Sequence, residues 1–194
     1  MRRPLLVLAS ASPRRQELLR SLSLTFAVLP ADVDETLLAG EDPFEAAERL
    51  ARAKAEAATA RAPAGALVVA ADTLVVLDGR ALGKPADREE ARAMLSALSG
   101  RRHEVVTGVA LSLGGRVASG RDVTEVDFAP LSPAEVEAYA ATGEPDDKAG
   151  AYALQGIAGL FVTRIEGSPS NVVGLPVRLL ALLARELGVD LLFR

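Results

Sequence analysis

The chain has 194 residues, of which 49% are hydrophobic and 25% charged, and its formal net charge is −4. These proportions are typical of a folded globular protein, and the acidic balance excludes a global attraction to nucleic acid or anionic membranes, so a polyanion would need a local basic pocket. The absence of cysteine excludes disulfides, thiolate zinc sites and cysteine nucleophiles, and a single histidine, His103, excludes histidine-rich metal sites. Any metal should therefore be held by carboxylates, which favours Mg²⁺ or Mn²⁺.

The chain begins with Met1, the basic residues Arg2 and Arg3 and a short apolar run at residues 4–9, a pattern that superficially resembles a signal peptide. The apolar run is too short for one and leads directly into a polar turn, so it predicts a first buried strand instead. No stretch approaches the length of a membrane span. We expect a cytoplasmic protein with neither a membrane nor a nucleic-acid partner.

Helix signals and apolar runs define the first half of the chain. Ser12 and Pro13 supply an N-cap and a first helical residue. The predicted elements are a helix to about residue 22, a helix from Pro43 to about residue 60, a strand at 66–77 closed by a turn at Asp78-Gly79, and a third helix after Asp87, with a capping box completed by Glu90 and an end before Gly100.

The second half opens with a hairpin, because Gly114-Gly115 separates two strand-like runs at 103–113 and 116–129. There follow a helix from Ser132 to before Gly143, a glycine-rich stretch at 149–159, a strand near 160–165 and a helix from Pro176 to before Gly188. Strands and helices mix without a strict βαβ repeat. The pattern therefore predicts an α/β fold with a mixed sheet.

The start of the first helix is a candidate phosphate site. Arg14 and Arg15 occupy its first turn, where cations oppose the helix dipole, and an anion would remove that conflict. Ser10 and Ser12 add hydroxyl groups at the same turn. The alternative is that both arginines extend into solvent or pair with Glu17.

The chain has 19 arginines but only three lysines, Lys54, Lys84 and Lys148. Lys54 falls on the apolar stripe of the second helix, where its ammonium must reach either water or an anion. Lys84 follows the 66–77 strand in the turn Gly83-Lys84-Pro85, a position that is ambiguous by itself.

Asp72 is the most informative residue, because it interrupts an otherwise apolar strand. A buried carboxylate must pair, bind a metal or shift its pKa, and each outcome is commoner at active sites than elsewhere. The alternative is a structural aspartate bonded to the backbone or to an arginine. The acids Asp34 and Glu35 could reach a metal from a loop, although paired loop acids are usually solvated.

Several familiar motifs are absent. The chain has no Walker A loop, no Gly-x-Gly-x-x-Gly and no Gly-x-Ser-x-Gly, which argues against P-loop enzymes, dinucleotide cofactors and serine hydrolases. The lone His103, beside two arginines near a strand start, is better explained as structural than as catalytic.

Taken together, the motifs resemble those of the Maf family, in family order and over almost the whole chain. They are Leu8-Ala9-Ser10-Ala11-Ser12-Pro13-Arg14-Arg15, Asp34-Glu35-Thr36, Ala53-Lys54-Ala55, Ala71-Asp72-Thr73, Gly83-Lys84-Pro85, His103 with Thr107-Gly108, Asp147-Lys148-Ala149-Gly150-Ala151-Tyr152, Gln155-Gly156 and Asn171-Val172-Val173-Gly174-Leu175-Pro176.

The resemblance implies one Maf-like domain over residues 1–194, with two lobes around a central cleft, similar to the inosine-triphosphate pyrophosphatases. It implies a metal-dependent nucleoside triphosphate pyrophosphatase, in a family linked to septum inhibition. The partners expected are a nucleoside triphosphate and, as an assembly that the sequence permits, a second copy of the chain.

The resemblance also implies roles for individual residues. Asp72 matches the proton acceptor, and Ser10, Arg15, Glu35, Lys54 and Lys84 match residues that line the catalytic cleft. We expect Ser10, Ser12 and Arg15 to bind phosphate, and Asp72 with Glu35 to hold the metal. A three-residue signature, Arg14, Thr73 and Gln155, is similar to that of the branch that prefers dTTP and UTP.

Two alternatives remain open at this point. One is the sister specificity for 7-methylguanosine triphosphate, whose branch carries Trp, Gln and Glu at the three signature positions. The other is a nucleotide-binding regulator of septum formation without meaningful turnover. A binder has no need of a buried carboxylate beside the phosphates, which speaks against the second alternative.

Overall fold

The computed structural model describes residues 4–192, which form seven strands and six α-helices. The strands are β1 (Leu6–Leu8), β2 (Phe26–Val28), β3 (Leu67–Leu77), β4 (Arg80–Leu82), β5 (Arg102–Leu113), β6 (Arg116–Phe128) and β7 (Val162–Glu166). The helices are α1 (Pro13–Ser21), α2 (Pro43–Thr59), α3 (Arg88–Leu98), α4 (Pro133–Ala140), α5 (Pro169–Val173) and α6 (Val177–Glu186). The basic start of the chain, Met1-Arg2-Arg3, lies outside the described residues. Among residues 4–192, no helix combines the length and apolar character that a membrane crossing needs.

Helices α1, α2, α3 and α4 begin where the sequence predicts, each after a side chain that accepts a backbone N–H of the first turn. The capping box predicted for α3 is wrong in one half. Asp87 accepts the N–H of Glu90, but the Glu90 carboxylate accepts the N–H of Ala86, one residue before the cap, at 2.6 Å. A complete box occurs instead at Ser132 and Glu135, at the start of α4.

The sheet has the order β2-β1-β3-β5-β6-β7, and β4 also pairs with β3. β1 is parallel to both of its neighbours, whereas the pairs of β3 with β4, of β3 with β5, of β5 with β6 and of β6 with β7 are antiparallel. The predicted mixed sheet is therefore confirmed. The predicted hairpin at Gly114-Gly115 joins β5 to β6, and both glycines have positive φ.

The elements predicted from the sequence do not include β4, which forms a second hairpin with β3 across Asp78-Gly79. They also do not include α5, a five-residue helix between β7 and α6. Both are too short for their hydrophobic periodicity to be visible. The predicted strands at 4–9 and 160–165 are also displaced by one or two residues at their ends from β1 and β7.

Side chains of β3 alternate between two faces of the sheet, and the packing on both faces is interrupted at the same point. On the α2 face, one apolar cluster contains Val68 and Ala70 and another contains Leu74 and Val76. The residue between them is Asp72. On the opposite face, Thr73 separates two larger clusters, one with α1 and α6 and one with α3 and α4. These clusters form the two lobes that the sequence predicts, and the middle of β3 is their boundary.

Candidate active site

The middle of β3 has an open edge. β1 pairs with Leu67–Val69 and β4 pairs with Val75–Leu77, on the edge of β3 that does not pair with β5. Because β1 runs parallel to β3 and β4 runs antiparallel to it, both short strands end facing the unpaired residues 70–74. The segments that follow them, with Ser10 and Lys84, therefore converge on Asp72 from opposite sides.

A cavity of about 990 Å³ occupies this opening. All ten predicted site residues line it, namely Ser10, Ser12, Arg14, Arg15, Glu35, Lys54, Asp72, Thr73, Lys84 and Gln155. Lys148 lines it as well, so the three lysines of the chain share one cavity. Acidic side chains are equally present, at Glu17, Glu35, Asp72, Glu144 and Asp147. Acidic and basic side chains therefore line the cavity together, so it is not a purely cationic pocket.

A chain of alternating charges forms the centre of the cavity. The Nζ atom of Lys54 lies 2.5 Å from Oδ1 of Asp72 and 2.5 Å from Oε1 of Glu35, and Nζ of Lys84 lies 3.3 Å from the other oxygen of Glu35. Asp72 and Lys54 are buried, with 6% and 7% of their surface exposed, whereas Lys84 is exposed. The sequence left open whether the Lys54 ammonium reaches water or an anion, and the structure shows that it contacts anions.

The docking of α2 against the sheet positions Lys54. Asp72 pairs with Gly108 of β5, and a Cβ atom at Gly108 would lie 2.2 Å from the backbone oxygen of Ala47 in α2. Only a glycine permits this approach of helix and strand. The next turns of α2 then place Lys54, on the buried stripe of the helix, beside Asp72.

Glu35 has a lowered pKa. Partial burial pulls that pKa upward, but the hydrogen bond and charge of Lys54, joined by those of Lys84, outweigh burial. The neighbouring Asp34 does not join the site: it is exposed, and its carboxylate accepts the N–H of Thr36 in a local turn. The structure thus separates the two loop acids that the sequence left equivalent.

The donor set around Asp72 suits a magnesium-like ion that is bound together with phosphate. Two carboxylates, Asp72 and Glu35, face the same point, while the described residues contain no group of three or more acidic or histidine side chains arranged to hold a metal. Mg²⁺ commonly uses one or two protein carboxylates and completes its shell with water and substrate phosphates. The residues present therefore fit a metal that arrives with a triphosphate better than a permanently bound ion.

Arg15 folds back into the protein instead of extending into solvent. Its Nε donates to the carbonyl of Gly174 at 2.7 Å, Nη1 to Ser10 Oγ at 3.1 Å and Nη2 to Thr73 Oγ1 at 3.0 Å. Burial lowers the pKa of Arg15, Asp72 opposes that shift, and Arg14 adds to it. The Arg15 side chain is therefore a fixed, partly desolvated cation at the N-terminal end of α1.

A second charged group lies on the Arg14 side of the cavity, and its acid, Glu144, was not predicted from the sequence. Burial lowers the pKa values of both Arg14 and Lys148, while Glu144 raises them. Glu144 also accepts the hydroxyl of Tyr139 at 2.9 Å and the N–H of Ile157 at 3.1 Å. Glu144 therefore holds in place the segment that carries the exposed Gln155. The signal available in the sequence was Lys148, as one of only three lysines.

His103 lies outside this cavity, in the apolar cluster beneath α3 and α4. Its Nε2 atom is 2.8 Å from the Tyr152 hydroxyl, and its ring packs edge-on against Phe128 and Tyr152. Burial lowers the pKa of His103 to about 4, although Asp127 opposes this shift. A structural position agrees with the expectation from the sequence.

Fold and site together define a class: a mixed-sheet α/β protein with a buried acid–lysine pair at an open strand edge. The family model for Maf-like proteins matches residues 5–187, and the chain belongs to that family. The resemblance drawn from the motifs is confirmed.

The relatives of the chain are similar over nearly its full length. A dTTP/UTP pyrophosphatase of Anaeromyxobacter dehalogenans (strain 2CP-C) is 54% identical over 97% of this chain and 96% of that protein. A dTTP/UTP pyrophosphatase of Myxococcus xanthus (strain DK1622) is 54% identical over 98% of this chain and 96% of that protein. Among solved structures, the Staphylococcus aureus Ham1 protein matches 64% of this chain and 71% of that chain with 20% identity and a TM-score of 0.45, a likeness too slight to carry an argument.

Proposed function

We propose that this protein is a nucleoside triphosphate pyrophosphatase that converts dTTP and UTP to the monophosphate and pyrophosphate. The observation that carries the proposal is the convergence of all three lysines and Arg15 on the cavity that holds the buried Asp72. The names of the relatives, each a dTTP/UTP pyrophosphatase over nearly the whole chain, support the same reaction.

Asp72 is the residue to which we assign the proton of the attacking water. Its Oδ1 atom is held by Lys54, and its carboxylate lies at the open strand edge, within reach of the cavity. A carboxylate in that position orients a water molecule toward the α-phosphorus and accepts its proton. The bond that breaks joins the α-phosphorus to the bridging oxygen, and pyrophosphate leaves.

The cations stabilise the charge that develops on the leaving pyrophosphate. Lys84 is the exposed end of the charge chain, and Arg15 approaches from the start of α1 on the other side. Lys54, which is held by the carboxylates of Glu35 and Asp72, lies between Lys84 and Arg15. Fixed cations in a partly desolvated site stabilise such charge more strongly than water does. Ser10 and Ser12 complete the phosphate-binding turn.

We propose that Asp72 and Glu35 hold Mg²⁺ or Mn²⁺ when the triphosphate is bound. When bound, the ion supplies neutralisation of phosphate oxygens and a lower pKa for a coordinated water. Lys54 already neutralises both carboxylates, so the ion competes with its ammonium, and the phosphates are the anions that can receive that ammonium in exchange.

Gln155 is the residue to which we assign the reading of the base, with Arg14 and Thr73 as the other members of the signature. Its side-chain amide offers a donor and an acceptor side by side, which match the N3–H and the adjacent carbonyl of thymine and uracil. A carboxylate at this position would instead match the N1–H and amine of guanine. All three signature residues are those of the branch that prefers dTTP and UTP, and they line one cavity, which disfavours the 7-methylguanosine triphosphate alternative.

A comparison of kcat/KM for dTTP, UTP, CTP and 7-methylguanosine triphosphate tests the proposal. We expect dTTP and UTP to be preferred by about 1 kcal/mol or more for each hydrogen bond that the wrong base leaves unpaired, which is roughly fivefold or more per group. A preference for 7-methylguanosine triphosphate would contradict the base assignment alone. Binding of every nucleotide without turnover would favour the regulator instead.

Three further features belong to the proposal. Residues 1–194 form one Maf-like domain, which limited proteolysis would test by the presence or absence of a stable fragment. The protein acts in the cytoplasm, which fractionation of cells would test. It assembles as a homodimer, which light scattering of the purified chain would test by its mass relative to 20.2 kDa.

A further inference from the structure

A line of hydroxyl groups connects Arg15 to the buried centre of the sheet. Nη2 of Arg15 lies 3.0 Å from Thr73 Oγ1, Thr73 Oγ1 lies 3.0 Å from Thr107 Oγ1, and Thr107 Oγ1 lies 3.0 Å from the carbonyl of Asn171. Thr107 and Asn171 are fully buried, with no exposed surface. Thr107 does not line the cavity, so it cannot contact a substrate directly.

We call this chain of hydrogen bonds, from Arg15 through Thr73 and Thr107 to Asn171, the relay. Counting protons shows which group is the donor in each of its hydrogen bonds. A carbonyl oxygen only accepts, so the single hydroxyl proton of Thr107 is donated to Asn171. In the contact between the two threonines, Thr73 must then be the donor. Arg15 carries only donors, so Thr73 accepts from Arg15 and gives its one proton to Thr107. The Thr73 hydroxyl therefore has no proton left for a base.

The far end of the relay is as firmly fixed as the near end. The Asn171 side-chain amide donates to the carbonyl of Val105 in β5 and to Thr124 Oγ1 in β6. This pins α5 to the sheet. α5 then supplies the Asn171 carbonyl that ends the relay, and the next residue after the helix, Gly174, supplies the carbonyl that accepts Nε of Arg15.

We propose that Thr107, acting through Thr73, is a positioning residue that fixes the guanidinium of Arg15 for the triphosphate. Three of the five N–H groups of Arg15 have partners among the described residues, which leaves one on each terminal nitrogen. A guanidinium held in this way offers two N–H groups in a fixed plane to phosphate oxygens. This inference rests on the proposed function and deepens it, because it assigns Thr107 to the positioning of Arg15.

The test uses Thr107→Val, which keeps the shape of the side chain and removes the hydroxyl. Thr107→Ser, which restores the hydroxyl, is the rescue variant. Thr163→Val is the matched control, because Thr163 is an exposed strand residue outside the cavity whose hydroxyl also donates to a backbone carbonyl. Melting temperatures confirm that each variant is folded before kinetics are measured.

We expect Thr107→Val to raise KM for dTTP and UTP about tenfold, because the Thr73 hydroxyl loses its buried acceptor and no longer holds Arg15 in place, with a smaller effect on kcat. The ratio of kcat/KM between dTTP and CTP should stay within about twofold of wild type, because the base contacts are untouched. Thr107→Ser should recover most of the loss. In a Thr73→Val background, Thr107→Val should add no further loss, since one relay cannot be broken twice.

Two results would overturn the inference. One is a wild-type KM in Thr107→Val. The other is a loss in Thr107→Val that Thr107→Ser does not recover. The affinity of each variant for inorganic pyrophosphate, measured by calorimetry, keeps the two proposals separate. If the wild-type protein hydrolysed no triphosphate, the proposed function would fail, and an unchanged pyrophosphate affinity in Thr107→Val would still refute the relay.

Discussion

Asp72 and Lys54 form a pair in which the carboxylate and the ammonium are both nearly buried and lie 2.5 Å apart. Removing one member of such a pair usually strands the other as an unpaired buried charge. Here Lys54 has a second partner in Glu35 at the same distance. A substitution that keeps the shape of Asp72 should therefore affect chemistry more than folding.

We predict that Asp72→Asn abolishes hydrolysis while triphosphate binding and the melting temperature change little. The asparagine keeps the volume and still offers an oxygen to Lys54, but it cannot accept a proton from water. Asp78→Asn, at an exposed aspartate that pairs with Arg101, is the control. Turnover above about a tenth of wild type, or roughly 1.4 kcal/mol in barrier, would rule out Asp72 as the base.

The buried His103 gives the protein a defined sensitivity to acid. The unfolded chain takes up a proton on this histidine as pH falls through 6.5, whereas the folded protein resists until about pH 4. Between pH 6.5 and about pH 4 the unfolded state binds more protons than the folded state, so the free energy of unfolding falls as pH drops. Above pH 6.5 the contribution of this histidine is constant. The expected loss is up to about 3 kcal/mol.

Urea unfolding at about pH 7 and about pH 4.5 checks this expectation for wild type and His103→Gln, with the window set by the histidine pKa. His103 is the only histidine of the chain, so the variant removes the whole effect. The variant should be less stable at neutral pH but should lose less stability on acidification. Equal losses in the two proteins would show that His103 is not the group responsible.

At the scale of elements, the contact between α2 and β5 brings Lys54 to Asp72. Gly108→Ala would place a Cβ atom 2.2 Å from the backbone of Ala47, and a helix backbone cannot yield as a side-chain tip does. We predict a loss of stability of about 1–3 kcal/mol from this overpacking, together with a fall in turnover as α2 is displaced.

The matched control for this contact is Gly120→Ala in β6, where the nearest atom to an added Cβ is the flexible end of Leu179 at 3.4 Å. It should leave both the melting temperature and turnover close to wild type. If Gly108→Ala behaved like Gly120→Ala, the close approach of α2 would not be what sets the site.

The sequence predicted the elements that carry strong local signals. Apolar runs revealed the core strands, and serine, aspartate and proline marked the helix starts. The site was visible where a residue conflicted with its surroundings, as at Asp72 within β3 and Lys54 on the buried stripe of α2. Each conflict is legible without knowing the fold.

What the sequence could not predict depends on distant parts of the chain. Arg15 is held by Gly174, 159 residues away, and by Thr73, 58 residues away. α5 supports both contacts, through the Gly174 carbonyl that follows the helix and the Asn171 carbonyl that accepts from Thr107. A five-residue segment gives no sequence signal of this role. Such partners are set by the sheet order, which local patterns do not specify.

At the scale of the whole molecule, the cleft follows from one long strand with two short neighbours on the same edge. β3 has 11 residues, while β1 and β4 have three each and leave its middle open. Two lobes of apolar packing then meet at a polar boundary, which is where a polyanion and a metal can enter together.

Metal dependence belongs to this scale, because the two carboxylates alone make an incomplete site. We predict that EDTA abolishes activity and that Mg²⁺ or Mn²⁺ restores it. Mn²⁺ binding, followed by electron paramagnetic resonance, should be weak for the protein alone and strong with a non-hydrolysable triphosphate. Tight binding of Mn²⁺ without nucleotide would contradict the role given to Lys54 as the partner of both carboxylates.

The central claim is that water attacks the α-phosphorus and that pyrophosphate leaves as one unit. Hydrolysis of dTTP in ¹⁸O-labelled water, followed by mass spectrometry of the products, tests it most directly. We predict dTMP that carries the label and pyrophosphate that does not. Label in the pyrophosphate would place the attack at the β-phosphorus, and dTDP with orthophosphate as first products would contradict the pyrophosphatase reaction itself.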